Sequence, residues 1–228
     1  MPGTTEATGR SALKRRAVLE AAREVFLRSG YAGASMDEVA AIAGVSKVTV
    51  YNHFSDKHNL FTAVITRAIG EAEESSRSLV DDLAQSVDVE KDLRVFARQH
   101  IVLVTQPHLI QLRRMIIAEA ARFPELARTW HRAGPERAHA KLAEQLEQLA
   151  RRGLLRVADP LLAAQNLNYL ILSVPVNEAM FTGRDKPYNR RRLQHYADEA
   201  VRVFMAAYGA DAAPPPPASG RRGAGAPR

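Results

Sequence analysis

A chain of 228 residues has room for one large domain or two small ones, and its 46% hydrophobic content is enough for a sizeable core. Aromatic residues make up only 6%, and the apolar residues are mostly Ala, Leu and Val, a mix that favours helices over sheets. The absence of cysteine excludes disulfides and thiolate metal sites and suits a reducing cytoplasm, while a net charge of +7 with a pI near 10.0 raises the prospect of a polyanionic partner. No apolar run approaches the roughly 18 residues of a membrane span, and the polar start MPGTTEATGR lacks a signal-peptide core.

Residues 1–10 read as a flexible arm. From Ser11 the pattern is helical, with Val18, Ala22, Val25 and Phe26 on one face and Gly30 suited to the left-handed end of the helix. Ser35 is a good N-cap, and Glu38 three residues later would close a capping box. Val39, Ile42 and Ala43 would bury this short second helix, which Gly44 stops. Ser46 caps a third helix running to Phe54, and Ser55 would cap a fourth starting at Asp56. Two short helices joined by Ala43-Gly44-Val45-Ser46 have the spacing of a helix-turn-helix.

Beyond Asp56 the helices lengthen. Leu60, Val64, Ile65 and Ile69 continue the fourth, which fades near Ser75–Asp82. A helix over 88–106 is broken by Pro107, a further one covers 108–122, and Pro124 opens a short one. Gly134-Pro135 would separate it from a helix over 136–152 that Gly153 ends. Residues 160–182 are strongly apolar, with a kink expected at Pro175. Thr182–Tyr188 reads as a loop, 189–208 as a last amphipathic helix, and the Pro-rich stretch 209–228 as a disordered tail.

The segment Ser35–Leu60, SMDEVAAIAGVSKVTVYNHFSDKHNL, resembles the DNA-binding domain of the TetR family of transcription regulators. The matching pieces are Ile42-Ala43-Gly44-Val45-Ser46, then Thr49-Val50-Tyr51-Asn52-His53-Phe54, then Asp56-Lys57 and Leu60. Upstream, Ala21-Ala22, Phe26 and Gly30-Tyr31 also fit. The stretch Arg113–Ala127 is similar to the C-terminal domain of the AefR-like branch. Val48 departs from the pattern, since many members carry Gly or Ala there; His58 replaces a common Glu.

The resemblance implies an all-α protein: a three-helix helix-turn-helix domain over 11–56, then a helical ligand-binding and dimerisation domain over 57–208. Val45, Val50 and Phe54 should pack inward and set the angle of the third helix. A helix entering the major groove needs short side chains and hydrogen-bonding groups at its leading end. Val48 and Thr49 are suited to a thymine methyl, Lys47 to guanine or phosphate, and Asn52 also faces outward. Tyr51 and His53 match the family's phosphate-contacting pair. Lys57 is expected on a phosphate beside the amides of the fourth helix, with Ser35 doing the same at the second. Arg10, Lys14, Arg15 and Arg16 are either a solvated helix start or further DNA contacts.

By the same resemblance, the protein is a cytoplasmic homodimer built on helices 160–182 and 189–208. It represses from a palindromic operator until a small-molecule effector releases it. Dimer-face candidates are Leu161, Leu162, Leu167, Leu170, Leu172 and Val174, then Leu193, Val201, Val203 and Phe204; the alternative is that they form the monomer's own core. Candidate pocket residues are Phe96, His100, Met115, Phe123, Trp130, Asn166, Tyr169 and Asn177. No cofactor is implied. The enzyme alternative has one Glu-x-x-His pair, Glu136 and His139, without the second copy a di-iron site needs. Architectural DNA binding would spread its basic residues over the surface instead of ordering them around one turn.

Overall fold

The computed structural model describes residues 4–81, 83–182 and 188–211. Every extended element among them is a helix: α1 (Thr4–Gly33), α2 (Met36–Ala43), α3 (Lys47–Phe54), α4 (Lys57–Asp81), α5 (Val89–Val104), α6 (Pro107–Glu119), α7 (Pro124–His131), α8 (Arg137–Arg151), α9 (Pro160–Thr182) and α10 (Arg190–Tyr208). A short 3-10 turn, Leu83–Gln85, links α4 to α5.

Several boundaries follow from local chemistry. Gly44 adopts φ 64°, and the amide of Val45 reaches back to the Ala40 carbonyl (3.1 Å), closing α2 in a left-handed turn. Ser35 Oγ accepts from the Glu38 amide (3.1 Å), as the cap pattern requires. The Glu38 carboxylate pairs with Arg28, so it does not serve as the returning half of a capping box. Pro107 and Pro124 each occupy the first turn of a helix, where a missing N–H costs nothing. Gly153, at φ 75°, follows α8.

Five expectations are corrected. The first helix begins at Thr4, not Ser11, because nothing in the Glu6–Arg10 stretch except Gly9 opposes propagation of the helix. At the other end Gly30 does take a left-handed φ of 67°, as a kink within α1. Ile42 is exposed; α2 instead buries Met36, Val39 and Ala40, three positions on one face. Asp56, not Ser55, caps α4: its Oδ1 accepts from the Asn59 amide (2.8 Å), while Ser55 sits at φ 57° as the end of α3. Gly134-Pro135 does not separate two helices, because a π-helical turn, Arg132–Glu136, absorbs the proline and joins α7 to α8. Finally, Gly209 belongs to the folded part: it is buried and bridges Leu155, and the Arg156 amide donates to the Tyr208 carbonyl (2.7 Å). The rest of the expected tail, 212–228, and the loop residues 183–187 lie outside the described residues.

The helices build two cores. The first joins α1–α3 and the N-terminal half of α4 to Leu112, Met115 and Ile116 of α6 and Leu126 of α7. The second joins the far end of α4 to α5, α8, α9 and α10. A boundary at residues 56/57 therefore runs through one packed unit. Helices α4 and α6 contribute residues to both cores.

Candidate DNA interface and regulatory cavity

Helix α3 is anchored from beneath. Val50 and Phe54, four residues apart, are buried, and Val45 is partly buried against the same core. The opposite face is open: Lys47, Val48, Tyr51 and Asn52 are exposed, and Thr49 and His53 are half-buried. Val48 is the clearest case, a β-branched apolar side chain 67% exposed at the leading turn. An apolar group held in water there suits contact with a thymine methyl.

Capping also shapes the reading face. Ser46 Oγ accepts from the Thr49 amide (3.1 Å) and shares a hydrogen bond with Thr49 Oγ1 (2.8 Å). The threonine rotamer is thereby fixed before any partner arrives. Lys47 is drawn back to Asp37 at the start of α2 (2.7 Å), which raises its pKa through that hydrogen bond and the carboxylate charge. Both groups are exposed, so a phosphate or a guanine can compete for the ammonium. Ser35 spends its acceptor on the helix and keeps a hydroxyl proton to donate.

Lys57, expected on a phosphate, is held within the protein in this DNA-free structure. Its ammonium donates to the carbonyls of Ala32 (3.2 Å) and Ala34 (3.0 Å) and lies 4.9 Å from the Tyr31 ring centre. The α4 amides it was to share with a phosphate are capped by Asp56, whose charge opposes a phosphate there. Lys57 thus staples α4 to the α1–α2 link. Lys57→Met should lower stability by roughly 1–3 kcal/mol through the loss of two charge-assisted hydrogen bonds. A urea midpoint equal to wild type would return Lys57 to a purely DNA-contacting role. Among the basic residues of α1, Arg10, Lys14, Arg15 and Arg16 are all exposed, and the Arg15 guanidinium lies 5.2 Å from the Phe54 ring centre. One cationic group of α1, Arg15, therefore flanks the end of α3.

The second half holds a cavity of about 170 Å³ between α4, α5, α6, α8 and α9. Phe96, Leu103, Leu142 and Leu172 supply apolar walls, and Trp130, with Ala133 and Pro135 of the π-helical turn, lies along one side. Of the expected pocket residues, Phe96, His100 and Trp130 line it. Met115 and Phe123 instead belong to the N-terminal core, because α6 and the start of α7 turn those positions toward α1 and α4. Phe123 packs 4.9 Å from Tyr31 and 4.7 Å from His58, ring centre to ring centre. Asn166, Tyr169 and Asn177 are on the outer face of α9; Asn166 bonds the Tyr208 hydroxyl (2.8 Å) and Asn177 the Ser173 carbonyl (2.8 Å).

Sequence reasoning missed Arg113, His139 and Asn168, which also line the cavity. Their signal is positional: Leu109 and Arg113 share a face of α6, one that the Leu112–Met115–Ile116 stripe leaves free. His100 Nε2 lies 3.0 Å from Asn168 Oδ1, and burial holds the His100 pKa below its ordinary value despite that bond. Glu136 binds His131 (2.9 Å) instead of joining His139.

Helix α9 is divided by burial. Ala163, Ala164, Leu167, Ile171 and Leu172 face the core, whereas Leu161, Leu162, Tyr169, Leu170, Val174 and Phe181 are exposed. On α10 the expected dimer residues Leu193, Val201 and Phe204 are buried in the protein's own core, and Val203 is half-buried.

These features define a helix-turn-helix DNA-binding unit carried on a helical domain with a cavity. The model of the bacterial tetR regulatory proteins matches residues 18–64, and that of the AefR-like transcriptional repressor C-terminal domain matches residues 91–210. The chain belongs to the TetR family of bacterial transcription regulators. It is 40% identical to a putative TetR-family regulator from Mesorhizobium loti, over 88% of this chain and 98% of that one, with a TM-score of 0.83. The transcriptional activator FasR of Mycolicibacterium smegmatis is 50% identical over 56 residues, 25% of this chain and 26% of its own length. The transcriptional repressor AcnR of Corynebacterium diphtheriae is 30% identical over 104 residues, 45% of this chain and 51% of its own length. The chain thus matches between a quarter and a half of these two curated relatives. No helix among the described residues is long and apolar enough to cross a membrane.

Proposed function

We propose that the protein is a cytoplasmic, homodimeric repressor that holds a near-palindromic operator through α3 and lets go when a small organic molecule fills the cavity. The observation that carries the reading is the double membership of α4 and α6. Helix α4 supplies Leu60, Phe61 and Ile65 to the DNA-binding core and reaches the cavity at Ile69 and Val80. Helix α6 sets Leu112, Met115 and Ile116 in that core, while Leu109 and Arg113 line the cavity. A ligand that fits only one position of these helices shifts the population between two arrangements of the DNA-binding unit, and with it the separation of the two α3 helices in a dimer. Dimerisation through the exposed apolar face of α9, with α10 alongside, supplies the fixed spacing that half-sites require.

In this reading Val48, Thr49 and Asn52 meet base edges, Lys47 meets a base or a phosphate, and Ser35, Tyr51 and His53 meet phosphates. Selection of bound fragments from genomic DNA should return one inverted repeat. Thr49→Ala should then relax preference at a single base position in each half-site, at a cost of about 1–3 kcal/mol for the preferred base. Bound fragments with no shared repeat, or a Thr49→Ala protein with unchanged base preference, would contradict the assignment. A reporter behind the selected repeat should be more active when the gene is deleted; a less active one would make the protein an activator.

A further inference from the structure

Three cationic side chains, Arg113, Arg137 and Lys141, line the cavity, and Arg113 has no counter-ion among the described residues. Arg113 is half-buried, lines the cavity and makes no hydrogen bond or ion pair among the described residues. Its neighbour shows the contrast: Arg114 donates to the carbonyls of Met180 (3.0 Å) and Ala179 and so ties α6 to the end of α9. No aspartate or glutamate is among the residues that line the cavity. A guanidinium withdrawn from water without a partner is unfavourable, and here burial pushes its pKa below the ordinary value. A fold that keeps such a group facing a cavity is suited to an anion brought from outside, which a guanidinium binds through two parallel hydrogen bonds.

A second polar atom narrows the chemistry. His100 Nδ1 is buried without a partner. Its Nε2 faces Asn168 Oδ1, so the N–H placed there by that partner leaves Nδ1 as an acceptor. Burial, and after it the neighbouring His139 and Arg113, favour the neutral His100 ring. A hydroxyl or an N–H is the complement of such an atom. The volume sets the size: a cavity of about 150 Å³ admits a benzene ring, and this one measures about 170 Å³.

We propose that the effector is a small organic acid, with its carboxylate on Arg113, a body of about one ring against Phe96, Leu142 and Leu172, and a hydrogen-bond donor toward His100 Nδ1. This rests on the reading of the cavity as the effector site.

Phenylacetate and 4-hydroxyphenylacetate, each with its neutral amide, are the probes for calorimetry on the full chain. Trp130, the chain's one tryptophan, lines the cavity, so its emission with phenylacetate reports where binding occurs. The acids should bind about 10- to 100-fold more tightly than their amides, the ratio that a charge-assisted hydrogen bond supplies. Arg113→Met should remove most of that ratio and, by removing an unpaired, half-buried charge, melt about 2–4 °C higher. Acids that bind no better than the amides, acids that leave Trp130 unperturbed, or an Arg113→Met protein that melts lower would each overturn the proposal. Operator binding measured on the same samples separates the two levels. Loss of sequence-specific DNA binding without any acid present refutes the regulator reading. Acids that bind tightly but leave the operator complex intact overturn the effector role and leave only an anion site.

Discussion

Phe61→Ala should unfold the DNA-binding end of the molecule under conditions where the wild type is intact. Phe61 lies on α4, is fully buried, and meets Phe26 edge-on at 4.9 Å and Tyr31 at 5.0 Å between ring centres. It joins α1 to α4 in the core that supports α3 and that also receives Leu112 and Met115 from α6. Truncating a phenylalanine in such a place costs about 3–5 kcal/mol, the lost transfer free energy plus the cavity left behind. Against a total stability of about 5–15 kcal/mol for a domain, that is a large fraction. Urea denaturation should show a much lower midpoint, and operator binding should weaken in step with the unfolded fraction. An unchanged midpoint would mean that α4 is not the support of the DNA-binding unit.

The second large effect concerns assembly. On α9, Leu170 and Val174 are 41% and 52% exposed, one helical turn apart, and Leu162 and Phe181 of the same helix are exposed as well. Apolar patches of this kind mark interaction sites, and members of this family act as dimers. Leu170→Asp with Val174→Asp should convert a dimer into a 25.1 kDa monomer in sedimentation, with helical content retained, because both side chains lie outside the monomer's core. Operator affinity should fall by roughly 10²- to 10⁴-fold, since two linked half-site contacts become two independent ones. A variant that remains dimeric would move the interface away from α9. A wild type that sediments at 25.1 kDa would remove the dimer altogether.

The DNA-binding unit was legible in the sequence because its signals are local. Gly44 needs a left-handed turn, Ser35 and Ser46 cap the next three residues, and Val50 and Phe54 recur at one turn of helix. The protein partners of Lys57 were not legible for the opposite reason: the carbonyls it binds are 23 and 25 residues away and leave no trace in its own neighbourhood. The cavity was harder still. Met115 and Arg113 differ by two positions on α6, yet one enters the DNA-binding core and the other the cavity, and only the placement of α6 between the two halves separates them. Ser55 and Asp56 are both good caps by residue type, but Ser55 is taken up as the positive-φ end of α3 and Asp56 caps α4. The apolar residues of α9 and α10 read alike in the sequence, but burial keeps only part of the α9 set on the surface.

If α3 reads one DNA sequence and filling the cavity ends the reading, a gel-shift titration shows both: the full chain on the DNA flanking its own gene, beside a scrambled duplex of equal length, at fixed moderate salt. The flanking DNA should be preferred by at least roughly 10³-fold. A compound shown through Trp130 emission to occupy the cavity should dissociate that complex. Equal affinity for the scrambled duplex, or a complex unmoved by a filled cavity, would contradict that mechanism.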